Sequence, residues 1–256
     1  MGIPHPTFLD LKVQKVGASL ADVKVHNLSG RGRFAGALLL LAGLQYLALE
    51  YVSARAWHRP TYSYAVNFIS DLGNPVAGDV FDGRSINSPL HSVMNFAFVA
   101  QGVLFIAAGA LLLAARERSD RLLLGLVIAH GIGVILVGFF HESAANLHNG
   151  VLVVHGIGAA VAIVAGNVAA ILAGRRPGMP TWLRRTSIAL GALGLASFVL
   201  LQADRPLYHA AGGIPERGSV YTILVFEILL GTVLLVAGAR RAPDCSPAPT
   251  AERFPA

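Results

Sequence analysis

The sequence predicts an all-α protein: a six-helix transmembrane bundle with both termini cytoplasmic and a long first outer loop. Three observations carry that prediction. The first is composition. Of the 256 residues, 54% are hydrophobic and 13% charged, against about 25% charged in an ordinary soluble domain. At a mean hydropathy of +0.61, the chain has too few charges to hold its apolar side chains in water, and a bilayer supplies the missing solvent. The second is a set of six apolar runs, at about 34–54, 88–114, 121–140, 150–173, 186–202 and 219–239. Each is close to the roughly 20 residues a helix needs to cross the hydrocarbon core, and none alternates as barrel strands do. The third is the placement of Lys and Arg. With the N-terminus inside, fifteen of the 20 fall in cytoplasmic segments and five outside, the bias that orients membrane proteins.

Residues 1–33 hold five basic residues among scattered apolar ones such as Phe8, Leu11 and Leu20, and read as a flexible or interfacial cytoplasmic segment. A secretory signal peptide is not expected, because the polar lead-in is long and Ala54-Arg55-Ala56 matches a cleavage site only weakly. The membrane domain spans 34–240. Its first outer loop, 55–87, contains Tyr62 to Pro75. The second outer stretch, Gly138 to Gly150, gathers His141, Glu142 and His148 and leads to His155. The third runs from Asp204 to Gly218 and includes Glu216-Arg217. The inner loops at Arg116-Glu117-Arg118 and Arg175-Arg176-Pro177-Gly178 read as turns and topology determinants, and the fifth run is the shortest. Residues 241–256 form a Pro-rich tail, expected to be disordered and cytoplasmic. The tail holds the single Cys245, so neither a disulfide framework nor a multi-cysteine metal site is expected.

The net charge of +6 is dispersed through short loops rather than gathered in a phosphate-tracking stripe, so no nucleic-acid partner is expected. No nucleotide-binding loop is present either. Arg supplies 17 of the 20 basic residues, which with abundant Ala, Gly and Leu points to a GC-rich bacterial genome and a plasma-membrane location.

Asn67-Phe68-Ile69-Ser70-Asp71-Leu72-Gly73 precedes the second span, Gly138-Phe139-Phe140-His141 closes the third, a His opens the fourth, and Pro215-Glu216-Arg217 precedes the sixth. In these features the chain resembles an uncharacterised prokaryotic six-span membrane family, domain of unknown function number nine hundred and ninety-eight, over roughly residues 34–240. Family members usually carry Gly-x-Phe-Pro where this chain has Gly138-Phe139-Phe140-His141. The resemblance implies a six-helix fold and no established activity.

The candidate chemistry lies on the outer side. Ser88, His91, Ser92 and Asn95 share one helix face, which should point into the bundle, either as interhelical hydrogen-bond glue or as the lining of a pocket. With Asn67, Ser70, Asp71, His141, His148, His155 and Arg217 they form a candidate binding pocket for a lipid or small amphiphile. Asp71 and Glu142 are the candidate catalytic carboxylates, although Ser70 or Asp71 can equally cap a short helix or form a turn completed by Gly73. Glu216-Arg217 reads as a rim pair, or as meeting Asp204-Arg205 across the loop. His148 and His155 lie two helical turns, about 10 Å, apart and cannot share a metal alone. Zinc would need one of them joined by His91, His141 or Asp71. That set is similar to the histidine and aspartate ligands of membrane hydrolases related to alkaline ceramidase, whose Ser-x-x-x-His and His-x-x-x-His spacings are absent here. His130 and Glu227 each fall about ten residues, roughly 15 Å, below the outer rim. A carboxylate at that depth is costly unless protonated or paired, and a His130–Glu227 pair is the expectation. The first functional reading is a binding module. The alternatives are a zinc-dependent hydrolase of lipid amides or esters and a proton-linked transporter using His130 and Glu227, for which no inverted repeat is visible.

Overall fold

Residues 30–113 and 118–239 are described in the computed structural model. They form α1 (Gly30–Ala56), α2 (His91–Leu112), α3 (Arg118–Phe139), α4 (Val151–Gly174), α5 (Thr181–Ala203), the short α6 (Arg205–Ala211) and α7 (Gly213–Ala239). All but α6 are long and apolar enough to cross a membrane, and the chain is a six-span helical membrane protein. Helix α1 starts at Gly30, a turn earlier than the apolar run. The rest of the N-terminal segment and the C-terminal tail with Cys245 lie outside the described residues.

Local chemistry sets the helix ends. Gly150 precedes α4 at φ +80°, and Gly178 turns the chain at φ +81° between α4 and α5, a backbone region that costs glycine no Cβ clash. Asp204 caps α6 by accepting a hydrogen bond from the Leu207 N–H at 2.9 Å.

The spans form a closed ring in chain order. α1 packs on α2, α2 on α3, α3 on α4, α4 on α5, α5 on α7, and α7 returns to α1. Small residues let the backbones approach. A Cβ on Gly131 of α3 would lie 2.7 Å from the Gly102 carbonyl of α2, and one on Gly36 of α1 would lie 2.9 Å from the Gly231 carbonyl of α7. Leu41, Val103, Ile132, Ile157 and Leu193 are exposed on the outside of the ring, where lipid solvates them. Polar groups of the spans turn inward: Glu50, Gln101, His130, Asn167, Thr222 and Glu227 are all buried. Asn167 of α4 donates to the Ile163 and Ser219 carbonyls at 2.9 Å and accepts from the Thr222 hydroxyl of α7 at 2.9 Å. Gly194 of α5 leaves the space those side chains occupy.

The α1–α2 loop closes one end of the ring. It contains a 3-10 turn at Ser70–Gly73 and an antiparallel hairpin, β1 (Asp79–Phe81) and β2 (Arg84–Ile86), that the all-α reading does not foresee. Phe81 pairs with Arg84 across a tight turn in which Asp82 and Gly83 take φ +48° and +78°, the pattern of a type I′ hairpin. Tyr62, Ile69, Leu72, Phe81 and Ile86 of this loop are buried in one apolar cluster with Tyr46, Met94 and Phe98 of the spans. The loop is therefore part of the core. At the opposite end Arg176 pairs with Asp120, joining the end of α4 to the start of α3.

Candidate functional site

Two arginines organise the loop, Arg84 from within it and Arg217 from α7. The hairpin brings Arg84 over Asp71, where its Nε donates to Oδ2 at 2.9 Å and its Nη2 to Oδ1 at 3.0 Å. Asp71 Oδ2 also accepts from the Phe68 N–H at 2.9 Å and the Asn67 amide at 3.2 Å. The two side chains are 5% and 0% exposed, and the guanidinium lies 4.1 Å above the Phe68 ring centre. Burial alone would lower the Arg84 pKa, but its hydrogen bonds to Asp71 and that charge outweigh burial and hold it above its ordinary value.

Arg217, at the start of α7, is the second anchor. Its Nη1 donates to the Tyr64 and Asn67 carbonyls at 2.8 Å. Its Nη2 donates to Glu50 Oε1 at 3.1 Å and to the Tyr62 hydroxyl. Tyr221 donates to both Glu50 oxygens at 2.9 Å. The neighbouring Glu216 accepts from the Ile69 N–H. Among the described residues the ion pair of Arg217 is with Glu50 and not with Glu216.

Beneath the loop, inside the ring, lies a cavity of about 220 Å³. Its depth is walled by Phe98, Val134, Ala162, Ile163 and Leu224, and its loop-covered end by Ser70, Glu142, His155, Tyr208 and Glu216. His155 Nδ1 meets the Phe140 carbonyl at 2.7 Å, leaving Nε2 facing Glu142 Oε2 at 3.8 Å. Burial, and after it the negative charge of Asp71, push the Glu142 carboxyl well above the usual carboxylate range, with Arg84 acting against them. Burial pushes the Tyr208 hydroxyl up to about 12. Three buried polar atoms of cavity-lining residues have no hydrogen-bond partner: Glu142 Oε1, His130 Nε2 and Gln101 Oε1.

The residues singled out from the sequence separate into groups. Ser70, Glu142, His155 and His130 line the cavity. Asn67, Asp71 and Arg217 build the clasp. Asp71 is already saturated by Arg84, Asn67 and the Phe68 N–H, which suits a structural role better than a catalytic one. Ser88 and Asn95 hold the loop from α2, donating to the Leu72 carbonyl at 2.6 Å and the Gly73 carbonyl at 2.9 Å. His91 is half-buried and bonds the Ser88 carbonyl at 3.2 Å. Ser92 and His148 are exposed, which corrects the expectation that they face the bundle. His141 is half-buried, and burial lowers its pKa.

The expected His130–Glu227 pair is also corrected. Glu227 takes its hydrogen bonds from Gln101 Nε2, at 2.7 and 2.8 Å, while His130 Nδ1 bonds the Ala162 carbonyl at 2.8 Å and its ring stands edge-on to Phe105. Among the described residues, no three His, Cys, Asp or Glu side chains are placed to hold a metal ion. His91, His141, His148 and His155 belong to no such group. The sequence reading passed over Arg84, Glu50 and Gln101. Glu50 carried a signal, being the one acidic residue within the first apolar run.

Fold and site together define a six-span membrane protein whose first long loop folds into one end of a helical ring and roofs a central cavity. Over residues 39–233 the sequence matches the model of the family described as a protein of unknown function (DUF998), and the chain belongs to that family. No curated protein and no solved structure matches it.

Proposed function

We propose that this protein binds a small single-chain amphiphile in the central cavity, with the chain along the apolar wall and the polar head at the loop-covered end. The observation that carries this reading is a mostly apolar cavity wall leading to a loop-covered end that carries Ser70, Glu142, His155 and Glu216, where Glu142 Oε1 is orphaned. Its size favours one short chain over a two-chain lipid: about 220 Å³ lies below the roughly 300–1,000 Å³ of sites for drug-sized ligands. Access from the bilayer is supported by Gly156 and Gln202, lining residues that are exposed near the loop-covered ends of α4 and α5. Farther from the loop the two helices close: a Cβ on Gly174 would lie 3.0 Å from the Arg184 carbonyl.

Filling the cavity tests this reading. A Cβ on Gly156 meets nothing within 4 Å, so Gly156→Leu places a side chain in the mouth without moving backbone, and Ala159→Phe occupies the wall. Scintillation-proximity binding of radiolabelled eight-carbon amphiphiles to purified protein should be saturable and weaken at least tenfold in both variants, with melting temperatures little changed. Undiminished binding in both removes the cavity as the site.

The same reading places the loop-covered end outside the cell, with both termini inside, on the support of the fifteen-to-five distribution of basic residues. Reporter fusions at Arg118 and Arg176 should then read as internal, and those at Asp79 and Asn146 as external. An external signal at Arg118 reverses the orientation.

A further inference from the structure

Resting on that reading, we infer that the head-group site at the loop-covered end of the cavity is selective for a protonated amine. The clasp and the cavity end together bury three carboxylates, Glu50, Asp71 and Glu142, with the half-buried Glu216 beside them, against two buried guanidiniums, Arg84 and Arg217. The two guanidiniums direct most of their donors elsewhere, with Arg84 Nη1 buried without a hydrogen-bond partner. Arg84 directs Nε and Nη2 to Asp71, and Arg217 divides its donors among Glu50, Tyr62 and loop carbonyls. Neither arginine lines the cavity, whereas Glu142 and Glu216 both do.

Glu142 carries the argument furthest. Its side chain is 7% exposed, and Arg84 Nη2 stands 3.6 Å from its Oε1, beyond hydrogen-bond geometry, so that oxygen is buried without a donor. A buried acceptor in that condition is costly and calls for a donor from a ligand. An ammonium group supplies three donors and a positive charge in one compact centre. Glu216 offers a second carboxylate already oriented by the Ile69 N–H. The Phe68 and Tyr208 rings also line this end, 5.0 Å apart edge to face, with the Arg84 guanidinium over Phe68. A carboxylate head would add acceptors beside Glu142 and Glu216, and a hydroxyl head offers one donor where an ammonium offers three. His155 is the remaining charge-bearing group on this end, with Nε2 on the other oxygen of Glu142. It leaves Oε1 open.

The test is competition among octylammonium, 1-octanol and octanoate for the cavity of the purified full-length protein, read by scintillation proximity with each probe radiolabelled. Octylammonium should bind at least tenfold more tightly than octanol, with octanoate weakest. Glu142→Gln should bring octylammonium to within about threefold of octanol measured on the same variant. Octanol or octanoate binding as tightly as octylammonium overturns the amine selectivity and leaves the amphiphile reading standing. Saturable binding by none of the three overturns both. The wild-type series decides between these outcomes even where Glu142→Gln fails to fold. Should that variant fold poorly, Glu216→Gln is expected to show the same selective loss, and unchanged octylammonium affinity in a folded variant of both residues contradicts the inference.

Discussion

Arg84→Ala is expected to be among the most destabilising single substitutions in the chain. It removes every charged partner of Asp71, whose side chain is fully buried, and leaves that carboxylate with only the Phe68 N–H and the Asn67 amide. Breaking a buried ion pair from one side typically costs roughly 3–5 kcal/mol, because the remaining charge stays desolvated. Against a total folding stability of about 5–15 kcal/mol, that is a large fraction. The loss of the guanidinium from above the Phe68 ring adds to it. Replacing both partners with apolar residues of similar volume, Arg84→Met with Asp71→Leu, should recover much of the loss, since no stranded charge remains. Thermal melting of the two single variants and the double variant in detergent measures the coupling. Additive effects would show that the pair does not hold the loop.

The second large effect is expected at Arg217. Its guanidinium joins three elements that are distant in sequence: the α1 carboxylate Glu50, the loop carbonyls of Tyr64 and Asn67, and α7 itself through the Gly213 carbonyl at 3.2 Å. Arg217→Ala leaves Glu50, 1% exposed, with Tyr221 as its remaining hydrogen-bond donor. It also leaves two loop carbonyls without their donors, and a cost of about 3 kcal/mol or more follows. Arg217→Lys should rescue little. A single ammonium cannot reach Glu50 and two divergent carbonyls together, whereas the planar fork can. Melting temperature should fall in both variants, and trypsin should cut after Arg84 faster than in the wild type as the loop detaches. Wild-type stability and cleavage rate in the lysine variant would mean that charge alone holds the loop.

The six spans were legible because lipid imposes length and hydrophobicity on each of them, and the runs read from the sequence fall within a few residues of the helices. The loop was less so. Asp82-Gly83 is the dipeptide a two-residue hairpin turn requires, yet each strand is only three residues long, too short to show alternation. The polar positions at the start of α2 were visible as a stripe, and Ser88 and Asn95 do face inward, but onto the loop backbone rather than into a pocket. Gln101, six residues beyond Asn95, lies off that stripe. Deeper in the ring the inward direction points toward α7, where Gln101 meets Glu227. Partner choice was the least legible feature. Arg217 and Glu50 stand 167 positions apart, and only closure of the ring through α7 and α1 brings them together. For the same reason depth alone suggested His130 as the partner of Glu227, while the rotation of α3 turns that ring toward the α4 backbone.

The central claim is that the cavity, and not the lipid-facing surface, holds the amphiphile. An octylammonium probe carrying a diazirine at the end of its chain, photolysed on the purified protein and mapped by peptide mass spectrometry, tests it most directly. Labelling is expected at the apolar wall, on Phe98, Val134, Ala162 or Ile163, and should disappear with excess unlabelled octylammonium. Labelling confined to the outward residues Leu41, Val103 and Leu193, and unaffected by competitor, would contradict it.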